Sequence, residues 1–407
     1  MKAPLSDIKV LDLSRILAGP WATQFMADLG AEVLKVERPE RGDDTRSWGP
    51  PYLHDKESGE AVSESAYYLS ANRGKKSVAI DIASESGQKL IRDLACKADI
   101  LVENFKVGGL TKYGLDYETL HSLNPELIYC SITGFGQTGP YAKRAGYDLL
   151  IQGMSGLMSL TGDADGEPQK TGIAICDLMT GMYASSACLA ALHARAQTGK
   201  GQHIDLALLD TAVAWLANQG MNFLCSGNVP SRMGNQHPSL VPYQVFTVAD
   251  GEINLAVGND GQFSAFAKVA GHPEWSDDVR FATNPARVEH RDALLELMQP
   301  VLASRTKQDW QQACEAAGVP AGPINSIAES FEDPQIIHRQ MALELDHPLA
   351  GKTPGVANPI RFSETPISYT SPPPLLGEHT ASVLQQQLGL DIQEIESLQE
   401  QGVIGLK

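Results

Sequence analysis

The sequence has no run of about 18 apolar residues, the length that a membrane-spanning helix requires. Its first residues, MKAPLSD, also lack the apolar stretch of a signal peptide. Six cysteines occur singly among apolar neighbours, without the C-x-x-C pairs of zinc or redox sites. We therefore expect a soluble, cytoplasmic protein with reduced core cysteines, no membrane partner and no metal.

Basic residues are outnumbered: 32 lysines and arginines stand against 49 aspartates and glutamates, which gives a formal charge of -17. This charge would repel a polyanion, so nucleic acid is not an expected partner. A small anionic ligand is still allowed, because salt screens distant charges beyond about 8 Å. The G-x-x-x-x-G-K-[ST] motif is absent, and the dinucleotide-like GFGQTG at 134–139 is not followed by a helical pattern. Nucleotide cofactors are therefore not predicted.

The first half of the chain alternates predicted strands and helices. Apolar patterns indicate strands at 8–13, 32–37, 77–82, 100–103 and 127–132, with helices at 20–29 and 84–97. This order predicts an α/β fold with an open, Rossmann-like parallel sheet in a large domain over 1–225. A hairpin at 244–257 and helices at 263–270, 290–302 and 307–317 predict a smaller α+β domain over 226–330. The segment 331–407 is expected to return to the large domain.

A single carboxylate interrupts the apolar segment TGIAICDLMTGM at 171–182. Residues 172–176 resemble a short buried strand or an extended lead-in, and the following apolar spacing predicts a helix to about Arg195. Asp177 therefore lies near a helix start, where it could be an N-cap. It could also be a nucleophile, because apolar neighbours remove water from a carboxylate. The two interpretations are compatible, and a reactive role for Cys176 is the less favoured alternative.

Several stretches together resemble the family III CoA-transferases, which include the α-methylacyl-CoA racemases. The matching stretches are VLDL at 10–13, AGP at 18–20, DLGAEVLKVE at 28–37, GDDTR at 42–46, VENF at 102–105, TGFG at 133–136, the Asp177 segment, TGKGQ at 198–202, GVPAGP at 318–323 and PLLGEH at 374–379. The resemblance implies a large sheet domain built from both chain ends, a smaller domain and an interlocked homodimer. It also implies that Asp177 is the acyl-accepting nucleophile, with a coenzyme A thioester as substrate and no permanently bound cofactor.

The resemblance further implies contacts with coenzyme A. The matching residues are Arg15, Ile16, Leu17, Ala18, Arg38, Lys75, Asn104, Phe105, Lys112 and Tyr113. Most of them follow predicted strands, where open α/β sheets bind ligands. Each basic residue could instead be a solvated surface charge.

The stretches GPP at 49–51, RAGYD at 144–148, VPY at 241–243 and PPPLLGEH at 372–379 resemble the branch that moves CoA from succinyl-CoA to dicarboxylic acids such as glutarate, hydroxymethylglutarate or itaconate. Candidate acceptor contacts are Arg46, Arg73, Arg144, Tyr147, Asp148, His237 and Ser239. The alternatives are a racemase, an enzyme of the formyl-CoA or acetyl-CoA:oxalate type, and a non-catalytic acyl-CoA binding protein. A racemase is disfavoured because Tyr147, with an ordinary pKa of about 10, replaces the proton-transferring histidine.

Overall fold

A computed structural model describes residues 2–407. Its strands are β1 (Lys9–Asp12), β2 (Glu32–Glu37), β3 (Tyr52–His54), β4 (Ala61–Ser65), β5 (Lys75–Ile80), β6 (Ile100–Glu103), β7 (Ile128–Thr133), β8 (His203–Ala207), β9 (Tyr243–Val248), β10 (Gly251–Ala256), β11 (Ala321–Pro323), β12 (Ala342–His347), β13 (Gly351–Val356) and β14 (Ile404–Gly405). Its α-helices are α1 (Ala18–Asp28), α2 (Ala66–Ser70), α3 (Glu85–Ala95), α4 (Tyr117–Leu123), α5 (Asp148–Met154), α6 (Leu157–Leu160), α7 (Ile175–Thr198), α8 (Leu208–Ala214), α9 (Ala217–Ser226), α10 (Asp260–Val269), α11 (Asn284–Glu289), α12 (Arg291–Leu302), α13 (Lys307–Ala316), α14 (Ile327–Glu332), α15 (Pro334–His338), α16 (Thr380–Val383) and α17 (Ile392–Glu400).

The largest sheet has seven strands in the order β14-β5-β2-β1-β6-β7-β8. All neighbours run parallel except β14, which pairs antiparallel with β5. After β1 the chain adds β2 and β5 on one side, and it later adds β6, β7 and β8 on the other. The strands β1 and β6 therefore flank a switch point, where open α/β sheets bind ligands outside the carboxyl ends of their strands.

Both faces of this sheet are covered. Successive side chains of a strand point to opposite faces, so Val10 of β1 packs with Ala22 of α1 and Cys188 of α7, whereas Leu11 packs with Ile91 of α3. A parallel sheet with two apolar faces needs helices on both, which confirms the predicted α/β class.

The chain divides into two units. The first comprises residues up to Leu157, together with Thr171–Cys225 and Gln335–Lys407. The second comprises Met158–Lys170 and Ser226–Pro334. In the second unit, β10 pairs antiparallel with β9 and β11, and an apolar core that includes Phe266 and Trp310 forms beneath the helices. The segment Met158–Lys170 thus belongs to the second unit, which no sequence pattern had indicated.

The long helix α7 carries the predicted nucleophile. Of the two alternatives for 172–176, the short buried strand is wrong, because α7 already begins at Ile175 and the described residues just before it form no strand. Among residues 2–407, α7 is the one helix long and apolar enough to cross a membrane by length and composition alone. The core helix of a soluble protein passes the same test, and in this structure α7 contacts α1 and β7.

Candidate active site

A cavity of about 580 Å³ opens at the carboxyl ends of the central strands in the first unit. Its lining comes from the turns after β1, β2, β5, β6 and β7 and from the first turn of α7. Twelve of the predicted site residues line it: Arg15, Ile16, Leu17, Ala18, Arg38, Asn104, Phe105, Lys112, Tyr113, Arg144, Tyr147 and Asp177. The cavity has the size of a typical small-molecule site and the position that the sheet topology predicts.

Asp177 is the third residue of α7, and the N-cap position is Ala174. The N-cap interpretation of Asp177 is therefore wrong. One turn later, Gly181 faces α1, and a Cβ atom there would lie 2.6 Å from the carbonyl oxygen of Ala18. Because Gly181 has no side chain, α7 can approach α1 closely, and this packing places Asp177 beside the start of α1.

Asp148, the first residue of α5, supplies the cap that Ala174 cannot. Its Oδ1 accepts the backbone N–H of Cys176 at 2.8 Å and that of Asp177 at 3.4 Å. Its Oδ2 accepts the amide of the buried Gln152 at 2.6 Å, and Gln152 Oε1 accepts the N–H of Thr171 at 2.9 Å. Asp148 thus caps the start of α7, and its expected contact with the substrate stays a prediction.

The environment of Asp177 changes its acidity. Burial, and then the nearby charge of Asp148, raise the pKa of Asp177 from 3.8 to about 7. Once ionised, this carboxylate is poorly solvated and therefore more reactive than an exposed one. Burial is also the main cause that raises the pKa of the Cys176 thiol to about 12, so little thiolate forms at neutral pH. Of the two neighbours, Asp177 is the one equipped to attack a carbonyl.

The turns after β1 and β6 hold each other at the switch point. Asn104 Oδ1 accepts the N–H of Arg15 at 2.9 Å, and Asn104 Nδ2 donates to the carbonyl of Arg15 at 2.7 Å. The next residue, Ile16, has a φ of 72°, which a β-branched side chain disfavours. Its N–H donates to Asp43 at 3.2 Å, which helps to hold this conformation. The N-cap of α1, Leu17, makes no side-chain hydrogen bond, so the first amides of α1 are available to an anionic group.

Comparison with known proteins identifies the family. The sequence model of CoA-transferase family III matches residues 5–380. The chain belongs to CoA-transferase family III. The succinate–glutarate CoA-transferase of Agrobacterium fabrum is 53% identical over 385 residues, which are 95% of this chain and 96% of that protein. The succinyl-CoA:glutarate CoA-transferase of Homo sapiens is 44% identical over 403 residues, 98% of this chain and 90% of that protein.

Solved structures agree with this assignment. The crystal structure of a CAIB/BAIF family protein from Brucella suis superposes with a TM-score of 0.83 at 51% identity, over 95% of this chain and 100% of that one. The resemblance read from the sequence motifs is therefore confirmed, and the chain is an enzyme that transfers CoA. Family III enzymes act on CoA thioesters, so the cavity must offer both cationic and apolar contacts.

Several cationic side chains line the cavity. Arg38 is exposed and forms no ion pair among residues 2–407, so its guanidinium is open to a phosphate. Lys112 lies with its Nζ 4.5 Å from the ring centroid of Tyr113. Arg15 is already engaged, since its Nη1 lies 2.6 Å from Asp44. Lys106, which sequence reasoning missed, also lines the cavity and follows Phe105 directly.

Lys75 was expected to contact coenzyme A, and the structure corrects this. The side chain is buried beneath α1, where its Nζ lies 3.1 Å from Asp12 Oδ2 and donates to Asn72 Oδ1 at 2.9 Å and to the carbonyl of Pro20 at 2.9 Å. It does not line the cavity. A lysine whose donors are all used inside the core holds the fold rather than a ligand.

The same correction applies to two of the three arginines expected at the acceptor. Arg46 is buried between Glu37 at 2.8 Å and Glu64 at 3.0 Å, and Arg73 is buried against Asp28 at 2.7 Å. Neither lines the cavity. Sequence alone could not separate them from Arg144, because carboxylates distant in the chain supply their partners.

His237 and Ser239 lie in the second unit, in the loop before β9. His237 Nδ1 accepts the N–H of Ser239 at 3.0 Å, and the His237 carbonyl accepts from Arg291 Nη2 at 2.8 Å. These contacts order the loop within its own unit. A role of His237 and Ser239 towards the acceptor stays a prediction.

Two further features were missed. Tyr67 on α2 has its pKa raised to about 12, first by burial and then by the charges of Asp177 and Asp148, so its phenol is electrostatically coupled to both carboxylates. The first glycine of the pattern at 134–139 serves a local packing purpose: a Cβ on Gly134 would lie 2.6 Å from the Cα of Gly146. This close approach brings the chain before Asp148 against the end of β7.

Proposed function

We propose that this enzyme transfers CoA from succinyl-CoA to glutarate, with Asp177 as the covalent carrier. The observation that carries the proposal is an aspartate in the wall of the cavity, on a helix start fixed by Asp148 and with its pKa raised to about 7, mainly by burial. The names of the relatives at 53% and 44% identity support the choice of succinyl-CoA and glutarate.

The reaction needs only carboxylates and a thiol. The Asp177 carboxylate attacks the thioester carbonyl of succinyl-CoA, the C–S bond breaks, and a mixed anhydride and CoA thiolate form. The thiolate then attacks the aspartyl carbonyl, which releases succinate and leaves an aspartyl-CoA thioester. Glutarate attacks this thioester to give a second anhydride, and the released thiolate attacks its glutaryl carbonyl, so that glutaryl-CoA leaves and Asp177 is restored.

Binding of CoA and stabilisation of the reaction intermediates are each supported by groups that line the cavity. Arg38, Lys106 and Lys112 supply positive charge for the phosphates of CoA, and the first amides of α1 are placed to stabilise the oxyanion of each tetrahedral intermediate. Because anhydrides hydrolyse, the partial burial of Asp177 favours transfer over reaction with water.

The distal carboxylate of the acceptor is assigned to Arg144. Its guanidinium lies 4.5 Å from the ring centroid of Tyr141 and 5.3 Å from that of Phe135, and it lines the cavity together with Asp177. Among residues 2–407 no carboxylate forms an ion pair with Arg144, in contrast to Arg46 and Arg73. Two aromatic rings thus hold a guanidinium whose N–H donors remain available for a bidentate contact.

The homodimer, interlocked as the resemblance implies, is also proposed. Several apolar side chains of the first unit are exposed in the single chain: Leu149, Leu150, Val213, Trp215, Met221, Phe223 and Leu224. They lie on α5, on α8 and the residue after it, and on α9, and α5 contacts α8. Exposed apolar side chains that together form a surface patch usually mark a protein interface. Sedimentation at micromolar concentration should give twice the chain mass, and a monomer would remove this part of the proposal.

Asp177→Ala provides the direct test. We expect formation of glutaryl-CoA from succinyl-CoA and glutarate, followed by chromatography, to fall at least about a thousandfold, because no other group can form the anhydride. Asp210→Ala, which alters an exposed aspartate in the first turn of α8, should retain activity. In the unaltered enzyme, mass spectrometry should detect CoA attached to the peptide that contains Asp177. Undiminished transfer by Asp177→Ala would refute the proposal.

A further inference from the structure

Glu103, the last residue of β6, is a buried carboxylate that the proposed reaction does not use. Its exposure is 5%, its Oε2 accepts the N–H of Phe105 at 2.7 Å, and its side chain is hydrogen-bonded to Ser131 on β7. Among residues 2–407 no lysine, arginine or histidine forms an ion pair with it. The buried Asp12 and Asp43 differ, since each is paired with a lysine. An unpaired buried carboxylate is costly, so its presence calls for a physical reason.

The contact with Phe105 shapes one wall of the cavity. Phe105 begins the turn that leaves β6, and this turn lines the cavity from Asn104 to Val107. Asn104 in turn exchanges two hydrogen bonds with the backbone of Arg15, whose neighbour Ile16 has a positive φ. The Glu103 carboxylate therefore anchors both turns at the switch point, although it does not itself line the cavity.

A second contact connects Glu103 with the edge of the sheet. The Ser131 hydroxyl lies 2.9 Å from His203 Nε2 on β8, and the His203 ring stacks on Tyr117 at 4.8 Å. Ser131 has one proton to donate. When Glu103 is ionised, Ser131 donates to it and accepts from His203. When Glu103 is protonated, Glu103 can donate to Ser131, and Ser131 can then donate to His203. The hydrogen-bond direction along this chain therefore depends on the proton on Glu103.

The pH at which Glu103 loses this proton is expected to lie near neutrality. Burial raises the pKa of Glu103 to about 7, although the hydrogen bonds from Ser131 and Phe105 oppose the rise. The titratable groups on β7 that feel its charge are Tyr129 and Cys130, and both have pKa values raised well above neutral.

Charged and titratable groups also lie on β1 and β8, the other strands near Glu103. On β1, Asp12 is engaged by Lys75. On β8, burial lowers the pKa of His203, whereas Asp205 and Glu118 oppose this shift. Within the described part of the chain, residues 2–407, no cation contributes to the pKa of Glu103 or pairs with it.

We propose that Glu103 is a positioning residue for coenzyme A, which holds the 104–107 turn as a carboxylate and loosens it when protonated. The proposal rests on the proposed function of the cavity. A carboxylate accepts the Phe105 N–H about twice as strongly as a neutral acid does, so the wall is better ordered at higher pH. Affinity for CoA should therefore increase as pH rises through neutrality.

The test uses Asp177→Asn as the background, because this change removes a carboxyl that lines the cavity and also has a pKa of about 7. The dissociation constant of CoA is measured by calorimetry between about pH 6 and pH 8.5 for Asp177→Asn and for Asp177→Asn with Glu103→Gln. Ionisation of the CoA phosphates contributes equally to both proteins. Over this pH range, the affinity of the Asp177→Asn variant for CoA should increase about tenfold more than that of the double variant with Glu103→Gln. The reason is that the glutamine side chain that replaces Glu103 stays neutral at every pH.

Control variants keep the result interpretable. Glu126→Gln in the same background alters an exposed carboxylate between α4 and β7 and should leave the pH dependence intact. Ser131→Ala removes a hydrogen bond to the carboxylate and should move the midpoint to higher pH, which provides a second route if Glu103→Gln fails to fold. Equal pH dependence in the single and double variants, or an unmoved midpoint in Ser131→Ala, would overturn the role of Glu103 alone. Absence of CoA binding at every pH would overturn the proposed function as well.

Discussion

Replacing Asp177 by asparagine should stabilise the folded protein above neutral pH while it removes the proposed nucleophile. The pKa of Asp177 is raised from 3.8 to about 7, first by burial and then by the charge of Asp148. Between these two values the folded chain holds a proton that the unfolded chain has lost, so stability falls as pH rises through this window. Below it the carboxyl is neutral in both states and costs nothing. Asparagine is neutral at every pH.

The size of the gain follows from the pKa shift. A difference of about 3 units at 1.36 kcal/mol per unit gives an upper limit of about 4 kcal/mol. Because the Asp177 side chain keeps partial exposure, solvent screening reduces this figure, and we expect about 2 kcal/mol at pH 8. The gain should disappear as pH falls towards 4. For a chain of this length it corresponds to roughly 3 °C in Tm.

Urea unfolding at pH 5, 6, 7 and 8 measures this difference, provided that the slope with denaturant is unchanged. Asp210→Asn is the matched control, because Asp210 also lies in the first turn of a helix but is exposed. It accounts for the loss of a favourable charge at a helix start, about 0.5 kcal/mol in the opposite direction. The reasoning fails if Asp177→Asn is no more stable than the parent at pH 8, or if its advantage does not depend on pH.

Two further predictions concern activity. Asp148→Asn should retain the hydrogen bond to the start of α7 but remove the charge that, together with burial, raises the pKa of Asp177. The acid limb of the pH profile of kcat/KM should therefore move to lower pH by up to about one unit. An unchanged profile would show that burial alone sets the pKa of Asp177. Arg144→Gln should reduce kcat/KM for glutarate about a hundredfold but leave kcat/KM for a monocarboxylic acid of similar length little changed. The control Lys143→Gln, at the exposed neighbouring lysine, should alter kcat/KM for neither acid. Equal losses for both acids would argue against a contact between Arg144 and the distal carboxylate.

The sheet could be predicted because its signals are local. Apolar runs at 32–37 and 100–103 coincide with β2 (Glu32–Glu37) and β6 (Ile100–Glu103), and a parallel sheet then dictates where strand ends meet. Residues that follow those strands, such as Asn104 and Phe105, accordingly line the cavity. Boundaries deviated where packing decided them: α1 begins at Ala18 rather than at Pro20, because the switch-point turn ends there.

The partners of buried charges could not be predicted. Arg46, Arg73 and Lys75 are basic residues in polar or apolar segments, and their sequence neighbourhoods do not differ in kind from that of Arg144. What separates them is the carboxylate that each one meets across the fold, namely Glu37, Asp28 and Asp12. Such pairs form between residues as far apart as Asp12 and Lys75, so no local pattern reports them. Resemblance to a family also does not indicate which of the matching cationic side chains form ion pairs within the fold.

The same distribution of charges distinguishes the proposed nucleophile from three acids that hold the fold. Asp12, Asp28 and Glu37 are buried, and each has a lysine or arginine within 3.1 Å. A cation lowers the free energy of the ionised form, which stabilises the fold but makes the carboxylate a weaker nucleophile. Asp177 has another carboxylate, Asp148, as its charged neighbour, and no cation pairs with it among residues 2–407. The destabilisation expected for Asp177 and the reactivity proposed for it therefore have one physical origin, so a cation placed beside it by mutation should raise stability and reduce transfer together.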